Sequence, residues 1–386
     1  AGERSVWSEI ADLFRGETGV AVDLVEGPNA TDLRENLYAT SLMARDDSFD
    51  LVYMDVTWTP KLAAAGWLVP LDGEIPAAEL ASLLPVAVEA GRYGGRLYRV
   101  PVRTDVGLLY YRKDLLARAG AAPPRTFEEL MRAARTLESP PDLWGFVFQG
   151  SQYEGLVCVY LEALRGFGGF WVDEATLELG LERPEAAAAL DFLVRCRSGG
   201  ISPPGVTTLK EDESRRLFQD GRAVFLRNWS YVWRLAQRPG SRVAGNVGVV
   251  QVVSAGGASG RGTLGGWGLG VSRFSRHREG AIAFVRYAVS AEGQRALCRA
   301  TGFAPTRRDA YEDPELLAAN PFLAELKPLL DGAAARPAIP RYALASDILQ
   351  RQLSAALAGL VDTKTALARA AKETRLMLGA PRERRP

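Results

Sequence analysis

Residues 101–113 read PVRTDVGLLYYRK, a short polar stretch between two apolar runs. The runs at 96–102 and 106–111 have the aliphatic, β-branched and aromatic residues that strands favour. Residues 103–105 would join these two strands, and a helix is predicted at 113–119. Two strands that lead directly into a helix indicate a mixed α/β fold.

The same alternation continues along the chain. Further strands are predicted at 20–25, 49–54, 144–149, 222–226, 246–253 and 263–271, and helices at 5–15, 185–197, 278–289, 291–300, 344–357 and 363–378. Thr59 and Pro60 supply an N-cap and an N1 proline for a helix that Gly66 ends. Thr126 and Glu129 form a capping box at the start of another helix.

Length and charge exclude several classes of protein. At 386 residues the chain exceeds the size at which one core stops growing, about 250 to 300 residues, so we expect two lobes. The 47 basic and 46 acidic residues leave a formal charge of +1, which gives no field to attract nucleic acid. No apolar run approaches the roughly 18 residues of a membrane span.

Motifs for catalysis or cofactor binding are missing from the sequence. His277 is the only histidine and is expected at the surface, so a histidine-based triad or a multi-histidine metal site has no support. The three cysteines are far apart and are expected to be buried apolar residues. The glycines of 262–270 match no nucleotide-binding motif and are expected to allow close backbone approach. The sequence predicts no cofactor and no metal.

The chain begins Ala1-Gly2-Glu3-Arg4, without the apolar segment of a signal peptide. Composition leaves open a cytoplasmic protein or one whose leader has been removed.

Several tryptophans lie beside polar or glycine-rich turns rather than inside apolar runs. Trp58 ends the run DVTW, Trp229 lies within NWSY and Trp267 lies within GGWG. An ordinary core aromatic remains the alternative for each of them. A pyranose ring, with apolar C–H faces and a rim of hydroxyls, needs such flat rings together with carboxylates and guanidinium groups. The three tryptophans together favour a sugar ligand.

Asp55 and Asp105 are the carboxylates expected at a ligand-binding edge. Asp55 follows the strand 49–54 at its carboxyl end, where open α/β sheets bind ligands. The alternative for Asp55 is a turn residue at a helix start, and the alternative for Asp105 is an ion pair with Arg103. Two carboxylates could also perform glycosidase chemistry, so a glycoside hydrolase is the second functional hypothesis. A structural or protein-docking module is the third.

Six motifs follow one another along the chain. They are YMDVTW at 53–58, PVRTDVGLLYYRK at 101–113, GSQYEGL at 150–156, RNWSY at 227–231, LGGW at 264–267 and RPAIP at 336–340. Each is weak alone, but the ordered set covers nearly the whole chain and resembles the trehalose- and maltose-binding proteins of prokaryotic ABC importers.

The resemblance implies a two-lobed α/β fold of the periplasmic-binding-protein type, with multiple hinge crossings and a ligand cleft between the lobes. Lobe 1 would comprise 1–106 and 262–304, and lobe 2 would comprise 107–261 and 305–386. The protein would not be an enzyme. It would capture a disaccharide or small glucoside, of the trehalose, maltose, sucrose or glucosylglycerol type, by lobe closure.

The resemblance also implies partners and a location. The sugar would be passed to the transmembrane permease subunits of an ABC importer, with no nucleic acid involved. The protein would be a monomer in the periplasm or outside the cell, and lipid anchoring of the native precursor stays open.

Site roles are implied one position at a time. Asp55 and Asp105 would accept hydrogen bonds from sugar hydroxyls, and Trp229 and Trp267 would stack on sugar rings. The other ligand-binding residues implied by the resemblance are Glu3, Arg34, Arg103, Tyr231, Gly266 and Arg336, with Tyr153 as a weaker addition. Surface ion pairs are the alternative for Arg34 and Arg336, and a helix-start charge is the alternative for Glu3.

Two features depart from the family pattern. Relatives usually carry a strand before the first helix, and this sequence starts without one. Relatives often place an aromatic residue at the position of Arg103, and a guanidinium there would change the shape and polarity of one subsite. The choice among trehalose, maltose, sucrose and a glucosyl-polyol therefore stays open.

Overall fold

The structure, a computed structural model, describes residues 3–28, 31–257 and 260–379. The strands are β1 (Leu51–Asp55), β2 (Arg92–Tyr93), β3 (Arg96–Leu97), β4 (Val100–Arg112), β5 (Trp144–Val147), β6 (Ala223–Trp229), β7 (Val247–Val250) and β8 (Leu264–Val271). The helices are α1 (Glu3–Thr18), α2 (Thr31–Met43), α3 (Thr59–Ala64), α4 (Ala77–Ser82), α5 (Pro85–Glu89), α6 (Lys113–Arg118), α7 (Phe127–Leu137), α8 (Glu154–Gly166), α9 (Pro184–Ser198), α10 (Glu211–Gln219), α11 (Val232–Ala236), α12 (Arg278–Val289), α13 (Ala291–Thr301), α14 (Pro314–Ala319), α15 (Phe322–Asp331), α16 (Tyr342–Leu357) and α17 (Thr363–Leu378).

The chain divides into two compact units. Unit 1 comprises Ala1–Asp105, Leu264–Asp331 and Ala338–Pro340, and unit 2 comprises Val106–Thr263, Gly332–Pro337 and Arg341–Pro386. β4 begins in unit 1 and ends in unit 2, so that the chain passes from one unit to the other within a single strand.

The run 305–331 belongs to unit 1, whereas the boundaries expected from the sequence placed it in the second lobe. Thr306 Oγ1 donates a hydrogen bond to the Pro101 carbonyl at 3.0 Å, and Arg307 Nη1 pairs with Glu79 at 2.6 Å. These bonds tie the start of the run to unit 1. The chain therefore returns to unit 2 after Asp331 rather than near residue 305.

Unit 1 is built around β1, β8 and the first part of β4. β1 and β8 are antiparallel, with Asp55 opposite Trp267, and β8 lies between β1 and β4. Helices α1, α12 and α13 contribute to the apolar core, whose members include Ile10, Phe14, Val100, Val102, Leu269, Val271, Phe284 and Val285. Directly opposite residues of an antiparallel pair have neighbouring side chains, so the register brings Asp55 and Trp267 together.

Unit 2 is built around the second part of β4. β6 and β7 pair with it in antiparallel fashion, with Gly107 opposite Trp229, and β5 is parallel to β6. Helices α8, α9, α16 and α17 pack on one another, and most of α8 is buried. Trp229 therefore lies at the end of a central strand, next to the backbone of Gly107.

Most of the predicted alternation is confirmed. The predicted helices 278–289 and 363–378 coincide with α12 and α17. Thr126 caps α7 as predicted, with its hydroxyl accepting from the Glu129 N–H at 3.1 Å. The cap of α3 is different, because Trp58 is its N-cap and Thr59 already lies in the helix.

Two strand predictions are wrong. The separate strands at 96–102 and 106–111 are mainly one continuous strand, β4, while Arg96–Leu97 pairs apart in a small hairpin. Thr104 is buried, and its N–H donates to the Ala304 carbonyl at 3.1 Å, so the polar residues do not interrupt the strand. Residues 20–25 lie outside the strands, and Val20 and Val25 expose their side chains rather than packing in a sheet.

Candidate functional site

Unit 1 carries an aromatic cluster around Trp267. The Tyr53 and Trp267 rings lie 4.9 Å apart and are tilted by 32°, and Trp58 meets Trp267 edge-on at 5.4 Å. Trp58 is buried, whereas Tyr53 and Trp267 are half-buried. Tyr53 and Asp55 are two residues apart on β1, so their side chains share a face of the sheet. This face presents a carboxylate next to partly exposed flat rings.

Two arginines lie among these rings. The guanidinium carbon of Arg34 is 5.0 Å from the Trp267 ring centroid, and that of Arg103 is 5.5 Å away. Arg103 is closer still to Phe303, at 4.0 Å, and Arg34 Nε donates to the Pro28 carbonyl at 3.0 Å. Guanidinium groups at such distances interact favourably with the ring quadrupole. The structure thus brings Arg34 and Arg103 to Trp267.

Asp55 also performs the turn role that was the alternative for it. Its Oδ1 accepts from the Thr57 N–H at 3.0 Å and from the Thr57 hydroxyl at 2.9 Å, which caps the short 3₁₀ helix Val56–Trp58. These bonds fix the carboxylate at the carboxyl end of β1. Capping and ligand contact are compatible, because a carboxylate has about four acceptor sites.

Asp105 is half-buried near the end of the unit 1 part of β4. Burial raises the pKa of Tyr311 well above its usual value, and the charges of the Asp331 and Asp105 carboxylates act in the same direction. Asp105 is therefore within electrostatic reach of Tyr311.

Gly266 occupies a backbone conformation that side chains rarely adopt. Its φ is +133°, and a Cβ there would lie 2.6 Å from the Arg103 carbonyl oxygen. Only glycine allows β8 to approach β4 this closely. The expected close approach in the glycine-rich run is confirmed, and it positions Trp267.

Unit 2 carries a second tryptophan site around Trp229. The guanidinium carbon of Arg227 lies 4.5 Å from the Trp229 ring centroid, and the indole Nε1 is 3.4 Å from Glu211 Oε1. Trp229 and Glu211 are half-buried, whereas Arg227 is buried. A carboxylate and an aromatic ring again lie together.

Tyr153 lies beside the same carboxylate. Burial raises the pKa of Tyr153 well above its usual value, and the Glu211 charge adds to the increase. Lys210 Nζ lies 5.3 Å from the Tyr153 ring centroid. Tyr231, which is half-buried, is the N-cap residue of α11, just after the end of β6.

Arg336 is held in a buried network of unit 2. Its Nη1 donates to Glu154 Oε1 at 2.7 Å, and the Tyr342 hydroxyl donates to the same oxygen at 2.5 Å. Ser346 bonds the other Glu154 oxygen. Arg336 does form an ion pair, but a buried one rather than the surface pair that was the alternative for it. A role as sugar donor stays a prediction.

The structure thus gathers one group of the predicted residues in unit 1, apart from the predicted residues of unit 2 described above. Unit 1 brings Arg34, Asp55, Arg103, Gly266 and Trp267 together, and Asp105 lies on the same strand as Arg103. Glu3 opens α1, but its side chain lies outside the described residues.

Sequence reasoning missed four residues that lie against the predicted ones, three beside a tryptophan and one beside Arg103. These are Tyr53, Phe303, Arg227 and Glu211. Strand alternation could have found two of them, because Tyr53 precedes Asp55, and Arg227 precedes Trp229, by two residues on a strand.

Sites for metal or thiol chemistry are missing from the described residues. These residues hold no group of three or more histidine, cysteine, aspartate or glutamate side chains suited to a metal ion. His277 is exposed, with Nδ1 3.3 Å from Asp50 Oδ2. The three cysteines are free and buried, as predicted, and burial raises the pKa of Cys158 to about 12. Among the described helices, none has the length and apolar character needed to span a membrane.

Comparison with known proteins identifies the family. A family model described as bacterial extracellular solute-binding protein matches residues 1–295. A probable ABC transporter-binding protein of Deinococcus radiodurans is 37% identical over 334 residues, which cover 85% of this chain and 79% of the relative. A mannitol-binding protein of Pseudomonas aeruginosa is 27% identical over 364 residues, with 89% and 83% of the two chains covered.

A solved structure extends the match. The maltose-bound MalE3 protein of T. maritima superposes with a TM-score of 0.90 at 36% identity, covering 97% of this chain and 96% of that one. The predicted fold class, the α/β two-lobed fold of periplasmic binding proteins, is confirmed. Because the family model covers well over half of the chain, the protein belongs to the bacterial extracellular solute-binding proteins, the non-enzymatic periplasmic or extracellular binding subunits of ABC transporters.

Proposed function

We propose that this protein captures a disaccharide or small glucoside, of the trehalose, maltose, sucrose or glucosylglycerol type, and delivers it to an ABC importer. The observation that carries the proposal is the pairing of Asp55 with Trp267 across β1 and β8. A flat indole suits the apolar face of a pyranose, and an ionised carboxylate is a strong acceptor for hydroxyls at its rim.

Two tryptophans and two aspartates have the central roles in this proposal. Trp267 and Trp229 stack on sugar rings, while Asp55 and Asp105 accept hydroxyl hydrogen bonds. The further contacts proposed come from Glu3, Arg34, Arg103, Tyr231, Gly266 and Arg336. Glu211 joins them, because it lies beside Trp229 as Asp55 lies beside Trp267. One carboxylate per tryptophan supports a ligand with two sugar-sized parts.

The relatives support a sugar or polyol ligand without fixing its identity. One solved relative, 36% identical, is bound to maltose, and another, 26% identical, is in complex with ribitol. A linear polyol has no ring face for an indole. The two tryptophans therefore favour a ring-containing ligand for this chain.

Sugar binding would work through closure of the lobes. A ligand shifts an equilibrium between open and closed forms only by its differential affinity for the two. In this proposal the sugar contacts residues of both units, and a monomer in its closed form is what the permease subunits bind.

Asp55 and Asp105 are proposed as acceptors rather than as a catalytic pair. The relatives are transporter-binding proteins, which do not catalyse a reaction. The glycoside hydrolase hypothesis therefore has no support from them.

A thermal-unfolding scan tests the proposal. The protein is scanned with millimolar trehalose, maltose, sucrose, glucosylglycerol and glucose, and with mannitol as the polyol control. A ligand at 100 times its Kd stabilises the folded protein by about 2.7 kcal/mol. An upward shift with one or two disaccharides or glucosides, and none with mannitol, is expected. A shift with mannitol alone, or with nothing, would overturn the proposal for this ligand class.

A further inference from the structure

A buried ion pair lies behind Trp229. Glu162 on α8 is 3% exposed and Arg227 on β6 is 2% exposed. Arg227 Nε donates to Glu162 Oε2 at 2.7 Å, and Nη2 donates to Oε1, so the pair is bidentate. Arg227 Nη1 donates to Gln149 Oε1 at 2.9 Å. The guanidinium is thus held at three nitrogens.

The charge of Arg227 is secured by its partner. Burial lowers the pKa of Arg227, but the charge and hydrogen bonds of the Glu162 carboxylate, together with the Glu211 charge, act in the opposite direction, and the pKa is raised. A charged guanidinium then lies 4.5 Å from the Trp229 ring centroid, where it attracts the ring and restrains its rotation. A second restraint on the indole is the longer contact of Nε1 with Glu211, at 3.4 Å.

The same carboxylate also binds the chain where it leaves unit 2. Glu162 Oε1 accepts from the Thr263 N–H at 2.9 Å, and Gly107 N–H donates to the Thr263 carbonyl at 3.1 Å. Thr263 is the last residue of unit 2 before β8, and Val106 is the first after the passage within β4. A Cβ on Gly107 would lie 1.9 Å from Glu162 Oε1, so the carboxylate rests directly on this backbone.

We propose that Glu162 is a positioning residue for ligand binding. Through Arg227 it holds the Trp229 indole in the orientation on which a sugar ring stacks, and through Thr263 it fixes that platform to the crossing segments. The inference rests on the proposed role of Trp229. Glu162 itself does not touch the ligand, since Arg227 lies between it and the indole.

The expected gain is preorganisation. Ordering one side chain on binding costs enough to weaken affinity about three- to tenfold, and a ring that is already held avoids this cost. The effect should therefore depend on the presence of Trp229. A purely structural role of the ion pair would not have that dependence.

The first test replaces the pair without leaving a buried charge. The double variant E162L/R227M is expected to fold, because apolar replacement of a buried pair is often neutral or stabilising. Its affinity for the sugar found in the thermal scan should fall about three- to tenfold. In a protein that already carries W229A, the same double change should cause no further loss of sugar affinity. Unchanged affinity, or an equal loss without Trp229, would refute the proposal.

A second variant keeps the test open if the double variant does not fold. E162D retains the charge but draws it back from Arg227, and a smaller loss of affinity is expected, again only with Trp229 present. The matched control is E178Q/R183Q, which removes an exposed ion pair of unit 2 and should leave affinity unchanged.

A measurement without ligand separates this inference from the proposed function. The indole ¹⁵N order parameter of Trp229, assigned with W229F, should be high in the sugar-free protein and lower in E162D and in the double variant. If no sugar binds but the order parameter falls, the proposed function fails, although Glu162 still orients the Trp229 indole. Equal Trp229 order parameters in the unsubstituted protein, in E162D and in the double variant would contradict the positioning role, even if sugar binds.

Discussion

Trp267 in unit 1 and Trp229 in unit 2 are supported in different ways. Trp267 packs against Tyr53 and Trp58, with two half-buried arginines among the rings. Trp229 packs against one buried arginine, which is bound by Glu162 and Gln149. The same residue types thus form one site held by ring packing and one held by a buried ion pair. Substitutions at the unit 1 site should therefore mainly weaken ligand binding. Substitutions at the unit 2 site should mainly lower the free energy of unfolding.

The strongest test of this difference is Glu162→Gln. Glutamine keeps the size of the side chain but leaves the Arg227 charge buried without its counter-charge. Breaking a buried pair in this way typically costs about 3–5 kcal/mol of unfolding free energy. Denaturant unfolding followed by tryptophan fluorescence measures the change.

The matched control is Glu178→Gln, also in unit 2. Glu178 pairs with Arg183 at 2.6 Å, but the side chains are 55% and 51% exposed, so solvent screens the pair. A loss below about 1 kcal/mol is expected for it. Equal losses in the two variants would contradict the view that unit 2 depends on its buried pair.

The unit 1 counterpart is Trp267→Ala. We expect sugar affinity to fall by about 2 kcal/mol or more, roughly 30-fold, because an aromatic anchor is lost. The fold should remain intact, since Trp267 is only half-buried. Isothermal titration of the sugar measures the affinity, and Trp267→Phe, which keeps a flat ring, should lose less. Unchanged affinity in the alanine variant would remove Trp267 from the site.

The local elements were readable from the sequence, but their long-range pairing was not. The motifs around Asp55 and Trp267 each suggested a ligand contact. Their placement side by side depends on the register between β1 and β8, which are distant in sequence. Local alternation sets the face of a side chain and leaves the partner strand undetermined.

The partners within the two buried ion networks were not predicted from the sequence. Glu162 is a carboxylate within an otherwise apolar stretch of α8, a pattern that implies a buried partner. That partner, Arg227, belongs to the motif RNWSY, 65 residues away in the sequence. Arg336 could not be placed from local sequence, because its burial depends on α16 residues Tyr342 and Ser346 joining it at Glu154.

Ion pairs nearer the surface should behave alike in the two units, and Asp114 in unit 2 and Asp309 in unit 1 test this. Hydrogen bonds from Arg112 lower the pKa of Asp114, and those from Arg307 lower the pKa of Asp309. A carboxyl whose pKa is lower in the folded state stabilises the protein above its unfolded pKa. That stability is lost as the pH falls through the folded value.

Asp114→Asn and Asp309→Asn should therefore each lose less than about 1 kcal/mol of unfolding free energy near neutral pH. The difference from the wild type should shrink towards zero in acid, where the native carboxyl is protonated as well. Urea unfolding across the acid range measures both variants against the wild type. A difference that persists in acid would mean that packing rather than charge stabilises that pair. If Asp114→Asn lost several times more unfolding free energy than Asp309→Asn, unit 2 would depend on ion pairs other than the buried pair of Glu162 and Arg227 as well.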